Sequence, residues 1–405
     1  MLRKDYKLFI SLVLWSIIPS IYLIIRMNIV AINSVDINIF GQIEWFDLID
    51  ETITTTLTVP LYFLLKPNKS TKEQNGYAFL LSFIVYTIFT LIVSSKIASI
   101  SEFMNATNAT QYLYLQSFSM LASFVGTFMI LLFTLNNDYK TIRIMLLFKM
   151  CLLCFADYFL ISNFLEIGAP YSNIIVNCII SILTLIIAYI RKYIVFGKCN
   201  KEWLSEWVKI GSQVGLQIFL DNYIYAVMIC RMVNAVEESG NYWIANNFIW
   251  RWLLVPVSCL AEIIKKNNLD NLTFNNTWVF VLIIVGLWLI TMPGWNWFVT
   301  NAMASNPSTI LRIVYPSAIF YLSYIISSCI DAWFVSKGKS KYVTIISIVV
   351  NIVYYGIVYI LFKQGIFTKN MNFIIMMFGF GMIVHMLMSV SFYIFEINNK
   401  NKIQI

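Results

Sequence analysis

Charge is what this sequence has least of. Only 12% of its 405 residues are Asp, Glu, Lys or Arg, and a single histidine stands beside them. Soluble domains carry about 25% charged residues, so an ordinary water-soluble globular protein is excluded. No GxxxxGK[ST] loop occurs, so the chain holds no ATP motor of that kind. The one CxxC, Cys151 with Cys154, lies inside an apolar run with no second pair and no nearby His. The seven cysteines therefore read as buried free thiols rather than as a metal or redox site. No small-residue cleavage site follows the first apolar run behind Arg3 and Lys4, which makes that run a retained span and not a signal peptide. The net charge of +8 is not a nucleic-acid signature, because the basic residues sit at the ends of apolar runs rather than in a patch interleaved with aromatics.

What is abundant is hydrocarbon: 60% of the residues are hydrophobic and 16% aromatic. A bilayer core of roughly 30 Å takes about 20 apolar residues per helix. Twelve runs fit that length: 8–25, 46–66, 77–99, 112–135, 142–163, 172–190, 211–233, 243–264, 277–299, 310–334, 342–362 and 371–394. Two are weaker, since 46–66 begins in a carboxylate cluster and 142–163 carries Lys149 and Asp157.

Counting Lys and Arg in the connections gives the orientation. With the N-terminus cytoplasmic, 20 basic residues fall inside and 5 outside, the latter being Arg26, Lys96, Arg231, Lys363 and Lys369. Lys149, Arg251 and Arg312 fall within or near spans. Both termini are then cytoplasmic, and the expected location is the inner membrane of a bacterium. The longest basic connection carries Trp203 and Trp207 and suits an amphipathic helix in the cytoplasmic interface. It divides the chain into an N-terminal six-helix bundle over 1–195, an interfacial linker helix over 196–210 and a C-terminal six-helix bundle over 211–405. Each bundle starts on the same side, so the halves read as parallel repeats. Val59-Pro60 and Val255-Pro256, both late in the second span of their half, fit a duplication. The fold class is thus all-α integral membrane, with about twelve transmembrane helices in two six-helix bundles related by pseudo-twofold symmetry.

The run GLQIFLDNYIYAVMICRMVNAVEESGNYWIANNFIWRWLLVP, residues 215–256, resembles the seventh and eighth spans of the multidrug and toxic compound extrusion (MATE) family, with Asp221, Gly240, Ala245 and Pro256 in the family's order. IDAWFVSKGKSKYVTIISIVVNIVYYGIVYILFKQGI, residues 330–366, resembles its tenth and eleventh spans. The chain departs from the family in two places. Asn246 and Asn247 stand where a glutamine is common, and no carboxylate lies between Leu8 and Ile25, where one branch carries a membrane Asp. The resemblance implies a transporter, not an enzyme, in a superfamily whose other members flip lipid-linked oligosaccharides.

Ionisable groups inside spans cost about 2.5–3.5 kcal/mol at the helix centre and so face a partner or a cavity. The resemblance makes Asp221, about ten residues into the seventh span, the first candidate for coupling Na⁺ or H⁺, against a structural ion pair. Asp331, six residues before Lys337, is a second candidate, against a satisfied interfacial carboxylate. Asp157 and Glu51 are the candidates of the first half. On the second span, Glu44, Asp47, Glu51, Thr54 and Thr58 form one polar stripe that would line a water-filled cleft, with Asp50 a further cavity-lining candidate; Glu44, Asp47 and Asp50 alternatively lie outside the bilayer. Lys149 and Asp157 are eight residues apart, about 12 Å along the helix, and cannot pair. Each needs a partner on another helix, and Arg251 is a candidate for Asp157 or Asp221. Tyr223, Tyr225, Trp250 and Trp252 are candidates to stack flat cations in a cavity, although packing is the commoner fate. Trp45, Trp243, Trp295 and Trp297 suit belt anchors. His385 reads as a packed or proton-sensitive residue of the last span.

These features point to a monomeric secondary transporter that exports an organic compound, cations among the candidates, by alternating access. Its partners are a small-molecule or lipid-linked substrate and membrane lipid, with no nucleic acid and no cofactor beyond Na⁺ or H⁺ as coupling ion. The alternatives are a flippase for lipid-linked oligosaccharide precursors, which would place several arginines at the cavity, and a membrane scaffold without transport activity.

Overall fold

The computed structural model describes residues 3–64, 73–195, 201–267 and 277–403. Among them no strand occurs, as expected where every backbone N–H and C=O must be satisfied without water. Twelve long helical segments follow the order of the apolar runs. They are α1 (Arg3–Ile32), α2 (Ile43–Leu64), α3 (Glu73–Ser95), α4 (Thr110–Leu135), α5 (Tyr139–Phe164) and α6 (Gly168–Ile190). Next come α7 (Lys201–Tyr225, continued by Ala226–Cys230 and Arg231–Ala235), α8 (Ser239–Phe248, Ile249–Leu253 and Val255–Asn267) and α9 (Thr277–Thr291, continued by short turns to Ala302). The last three are α10 (Pro307–Ser336), α11 (Ser340–Ile348, Val349–Tyr354 and Tyr355–Lys363) and α12 (Met371–Ile403). Short helices Ile37–Gly41 and Ile97–Phe103 precede α2 and follow α3.

Among the described residues eight stretches are long and apolar enough to cross a bilayer; one of them, Tyr139–Ile190, runs through both α5 and α6, and the bent α8 makes a ninth. The protein is an integral membrane protein. The run 142–163, weak by its charges, lies within such a stretch, whereas α2 does not, and α7 joins it. α2 carries Glu44, Asp47, Asp50 and Glu51, and α7 carries Lys201, Glu202, Glu206, Lys209, Asp221 and, in its continuation, Arg231. These two polar helices pack along each other. At their contact α7 carries Gly211 and Gly215, four residues apart. A Cβ on Gly211 would come within 2.9 Å of the Thr56 carbonyl oxygen, and one on Gly215 would overlap Thr56 Oγ1. Small residues at this spacing let two backbones approach closely in a membrane.

Among the described residues the basic connection shows no helix separate from α7. Residues 196–200, with Lys198, lie outside the described residues, as do Lys66, Lys69 and Lys72. From Lys201 onward the chain is already the start of α7, and Trp203 and Trp207 are buried. The two indoles stack at 6.2 Å, and Trp207 Nε1 donates to the Leu57 carbonyl at 3.1 Å. Packing groups the described chain into two compact units, Ile25–Asn234 and Met1–Ile24 with Ala235–Ile405. By this grouping α7 goes with α2–α6, and α1 as far as Ile24 goes with α8–α12.

The unit of α8–α12 shows how the sequence bends a span. Ser239–Leu253 and Val255–Lys265 meet at 51°. Pro256 has no N–H to donate backwards, and the wide turn Ile249–Leu253 precedes it. Side chains take up carbonyls at the bend: Ser20 Oγ donates to that of Arg251 at 3.1 Å, and Trp288 Nε1 to that of Leu253 at 3.0 Å. The matching Pro60 lies inside an unbroken α2. The repeated Val-Pro therefore marks a bend in only one of its two places. Three of the four tryptophans expected as belt anchors, Trp45, Trp243 and Trp295, are buried; Trp297 is exposed. Of the cysteines, Cys230, Cys259 and Cys329 are buried, whereas Cys151 and Cys178 lie exposed on their spans.

Candidate functional site

In the unit of residues 25–234 the charges of the spans converge. α1 continues past the predicted end at residue 25 to Ile32, which places Arg26 inside the helix rather than in an outer loop. Its guanidinium grips Asp157 on α5 with two bonds, Nε to Oδ2 at 2.7 Å and Nη2 to Oδ1 at 2.8 Å. Asp157 is 0% and Arg26 12% exposed. Nη2 also donates to Asn173 Oδ1 on α6 at 2.8 Å, and Asn173 Nδ2 donates to Gln116 Oε1 on α4 at 3.1 Å. Four helices are thus tied through one fork of planar donors, the geometry that suits arginine rather than lysine. The partner of Asp157 is Arg26 and not Arg251, because Arg26 occupies both carboxylate oxygens.

On α2, Asp50, beside the predicted polar stripe, is held by two hydroxyls. The Tyr86 hydroxyl of α3 donates to it, as does Thr54 Oγ1 at 3.1 Å. Lys149 of α5 is half-buried within electrostatic range of Asp50 and Arg26, and makes no ion pair among the described residues. Glu51 is exposed and lies 3.3 Å from Asn222 Nδ2 of α7. That amide also approaches the Leu48 carbonyl and Thr52 Oγ1, each at 3.1 Å. Asp221 is half-buried one residue earlier on α7, and the Tyr225 hydroxyl lies 3.4 Å from Glu44 Oε1. Tyr223 is exposed and stacks on Phe219 with centroids 5.5 Å apart. Both rings line a cavity of about 380 Å³ between α2, α3, the helix Ile97–Phe103 and α7.

The unit of α8–α12 holds the second cluster. Asp331 of α10 accepts from Ser389 Oγ of α12 at 2.8 Å, and His385 Nε2 of α12 lies 2.7 Å from its other oxygen. Both Asp331 and His385 are mostly buried. Tyr324, two turns before Asp331, bonds to Ser328 and feels the Asp331 charge. Toward the other end of α10, Trp250 Nε1 donates to the Tyr321 hydroxyl at 3.1 Å, and that hydroxyl lies 3.4 Å from Asn246 Oδ1. Arg251 is exposed with no ion pair among the described residues, while Arg312 pairs with Glu238 at the start of α8.

Sequence reasoning found Asp331 and missed its partners. His385 and Ser389 lie 54 and 58 residues downstream. Their spacing of four, one helical turn, placed both on one face of α12, and that was the available signal. Arg26 was missed because it lies just beyond an apolar run; the need of Asp157 for a cation was the clue. Asp221, Asp157, Glu51 and Asp50 fall in one unit and Asp331 in the other, so the candidates form two clusters.

No protein-family model and no curated protein matches the chain. Solved structures do. An inward-facing multidrug resistance MATE family transporter of the MOP superfamily is similar at a TM-score of 0.72 and 12% identity, over 96% of each chain. The outward-facing form of such a transporter gives 0.68 and 13% over 98% and 97%. A MOP superfamily transporter from Pyrococcus furiosus, described as having a binding pocket of reverse polarity that suggests a different function, gives 0.64 and 13% over 97% and 96%. Along nearly its whole length the chain has the fold of the MATE transporters of the MOP superfamily, the fold its sequence resemblance implies.

Proposed function

We propose that this protein is a secondary active transporter that exports an organic compound by alternating access, with a proton as coupling ion at the Asp331, His385 and Ser389 cluster. The observation that carries the transport reading is the likeness over 96% of both chains to a multidrug resistance transporter. The 20 to 5 division of basic residues favours cytoplasmic termini, and the membrane is the inner membrane of a bacterium, where the chain acts as a monomer.

The choice of proton rests on the geometry of α10 and α12. Asp331 already engages a partner through each oxygen. A sodium ion is held by several oxygen ligands, and the imidazole nitrogen beside Asp331 is not one of them. A proton adds one positive charge to the cluster and displaces no ligand. A lone charge in a span costs about 2.5–3.5 kcal/mol. The loaded and empty states of the cluster thus differ in how readily they lose contact with water, which is what coupling to alternating access requires.

The test is transport in proteoliposomes under imposed pH or Na⁺ gradients, with a panel of organic dyes and a labelled polyprenyl pyrophosphate. A pH gradient should drive dye movement, and His385→Gln should leave downhill flux while removing the response to that gradient. Undiminished Na⁺-driven flux in His385→Gln would overturn the proton assignment. A second reading, flipping of a lipid-linked saccharide, draws support from the exposed Arg251 and from the reversed polarity ascribed to the Pyrococcus furiosus protein. Movement of the pyrophosphate lipid without any dye would establish it.

A further inference from the structure

We propose that the cavity between α2, α3, Ile97–Phe103 and α7 holds one hydrocarbon chain of a bilayer lipid, as a resident site apart from the transported compound. Its volume of about 380 Å³ lies in the range of built ligand pockets. Its floor is the contact of α2 with α7, and its wall is the last turns of α3, from which Phe89 and Val93 project.

The wall is mostly apolar and offers a ligand few free hydrogen-bond donors. Four of the lining residues bear donors inside the cavity, and all four donors are already taken within the protein. Trp45 Nε1 donates to Gln42 at 2.7 Å, Thr52 Oγ1 to the Leu48 carbonyl at 2.8 Å, and Thr56 Oγ1 to the Thr52 carbonyl at 2.6 Å. The Asn222 amide is spent on Leu48, Glu51 and Thr52. A hydrogen-bonding ligand would lose its hydration and gain no donor, which is unfavourable. Only the Tyr223 hydroxyl remains, on an exposed rim shared with Phe103 and Phe219.

The surroundings select the occupant. Phe89 and Val93 belong to the last two turns of the apolar stretch Gln74–Ser95 and Ile100, Phe103 and Met104 follow it, so the cavity straddles the end of that span, within reach of lipid tails. An unfilled space of this size forfeits the dispersion contacts of its whole lining. A tail entering past the rim restores them and braces α2 on α7 beside the wide turn Ala226–Cys230.

The experiment uses the full chain in phosphatidylcholine vesicles containing a trace of phosphatidylcholine with a diazirine in one acyl chain. After illumination, adducts are mapped by mass spectrometry. Adducts on Val93, Met104 and Val227 should exceed those on Ile182 and Ile186, exposed residues of α6, several-fold. Ala226→Phe and, from the opposite wall, Val93→Phe should remove the cavity adducts and leave those of α6. The wild-type map decides even where a filling variant fails to fold. Cavity labelling no greater than on α6 would overturn the proposal. So would saturable displacement of the label by an organic dye, which would place the cavity on the transport path.

Discussion

Removing Arg26 offers the most direct test of how this membrane interior is held together. In Arg26→Met two charge-assisted bonds to Asp157 disappear, each contributing roughly 1.5–3 kcal/mol. The carboxylate left behind is 0% exposed. Losing one partner of a buried pair costs about 3–5 kcal/mol because the other charge stays uncompensated, whereas replacing both by apolar groups is often neutral. Arg26→Met and Asp157→Leu should therefore each destabilise by about 3–5 kcal/mol, while the double variant should return to within about 1 kcal/mol of wild type. Unfolding by SDS titration in mixed micelles, followed by tryptophan fluorescence, measures all three. With exchange proposed at Asp331, the double variant is also expected to transport. If the single losses add in the double variant, or if each is below about 1 kcal/mol, the reasoning fails.

Three further outcomes follow from the same structure. Gly215→Val should cost about 1–3 kcal/mol by forcing α7 off Thr56, seen as a lower unfolding midpoint, and Gly286→Val, where a Cβ meets nothing, should not. Asp331→Asn should abolish pH-driven transport while Asp221→Asn retains it; the reverse result moves the coupling site to α7. Trp207→Phe should lose about 1 kcal/mol with the bond to the Leu57 carbonyl, and a cost well above the loss in Trp297→Phe, an exposed residue, is the expected contrast.

Much of the fold was legible because a bilayer demands long apolar runs whatever the helices do next. All twelve runs became helices, and the family resemblance over 215–256 and 330–366 pointed to the fold found along the whole chain. Run ends were less legible, since a helix continues where its polar residues find partners. Arg26 is inside α1 because Asp157, 131 residues away, receives it. The basic stretch with Trp203 and Trp207 has the composition of an interfacial helix, yet the indoles are buried, and that of Trp207 donates to the Leu57 carbonyl of α2. The candidate sites divide the same way. That Asp331, Asp157 and Asp50 need partners followed from charge in hydrocarbon; that the partners are His385, Arg26 and Tyr86 did not.

The sequence by itself therefore determined the solvent of this protein, the number of its helices and the list of groups that could not remain alone, because each follows from transfer energies that depend on residue type. Only the tertiary structure decided the pairings: Arg26 with Asp157, α2 with α7 through Gly211 and Gly215, and the carboxylate of Asp331 with the only imidazole in the chain. Pairing depends on which helix faces which at what depth, and that is set by the packing of many apolar side chains that one-dimensional spacing does not encode.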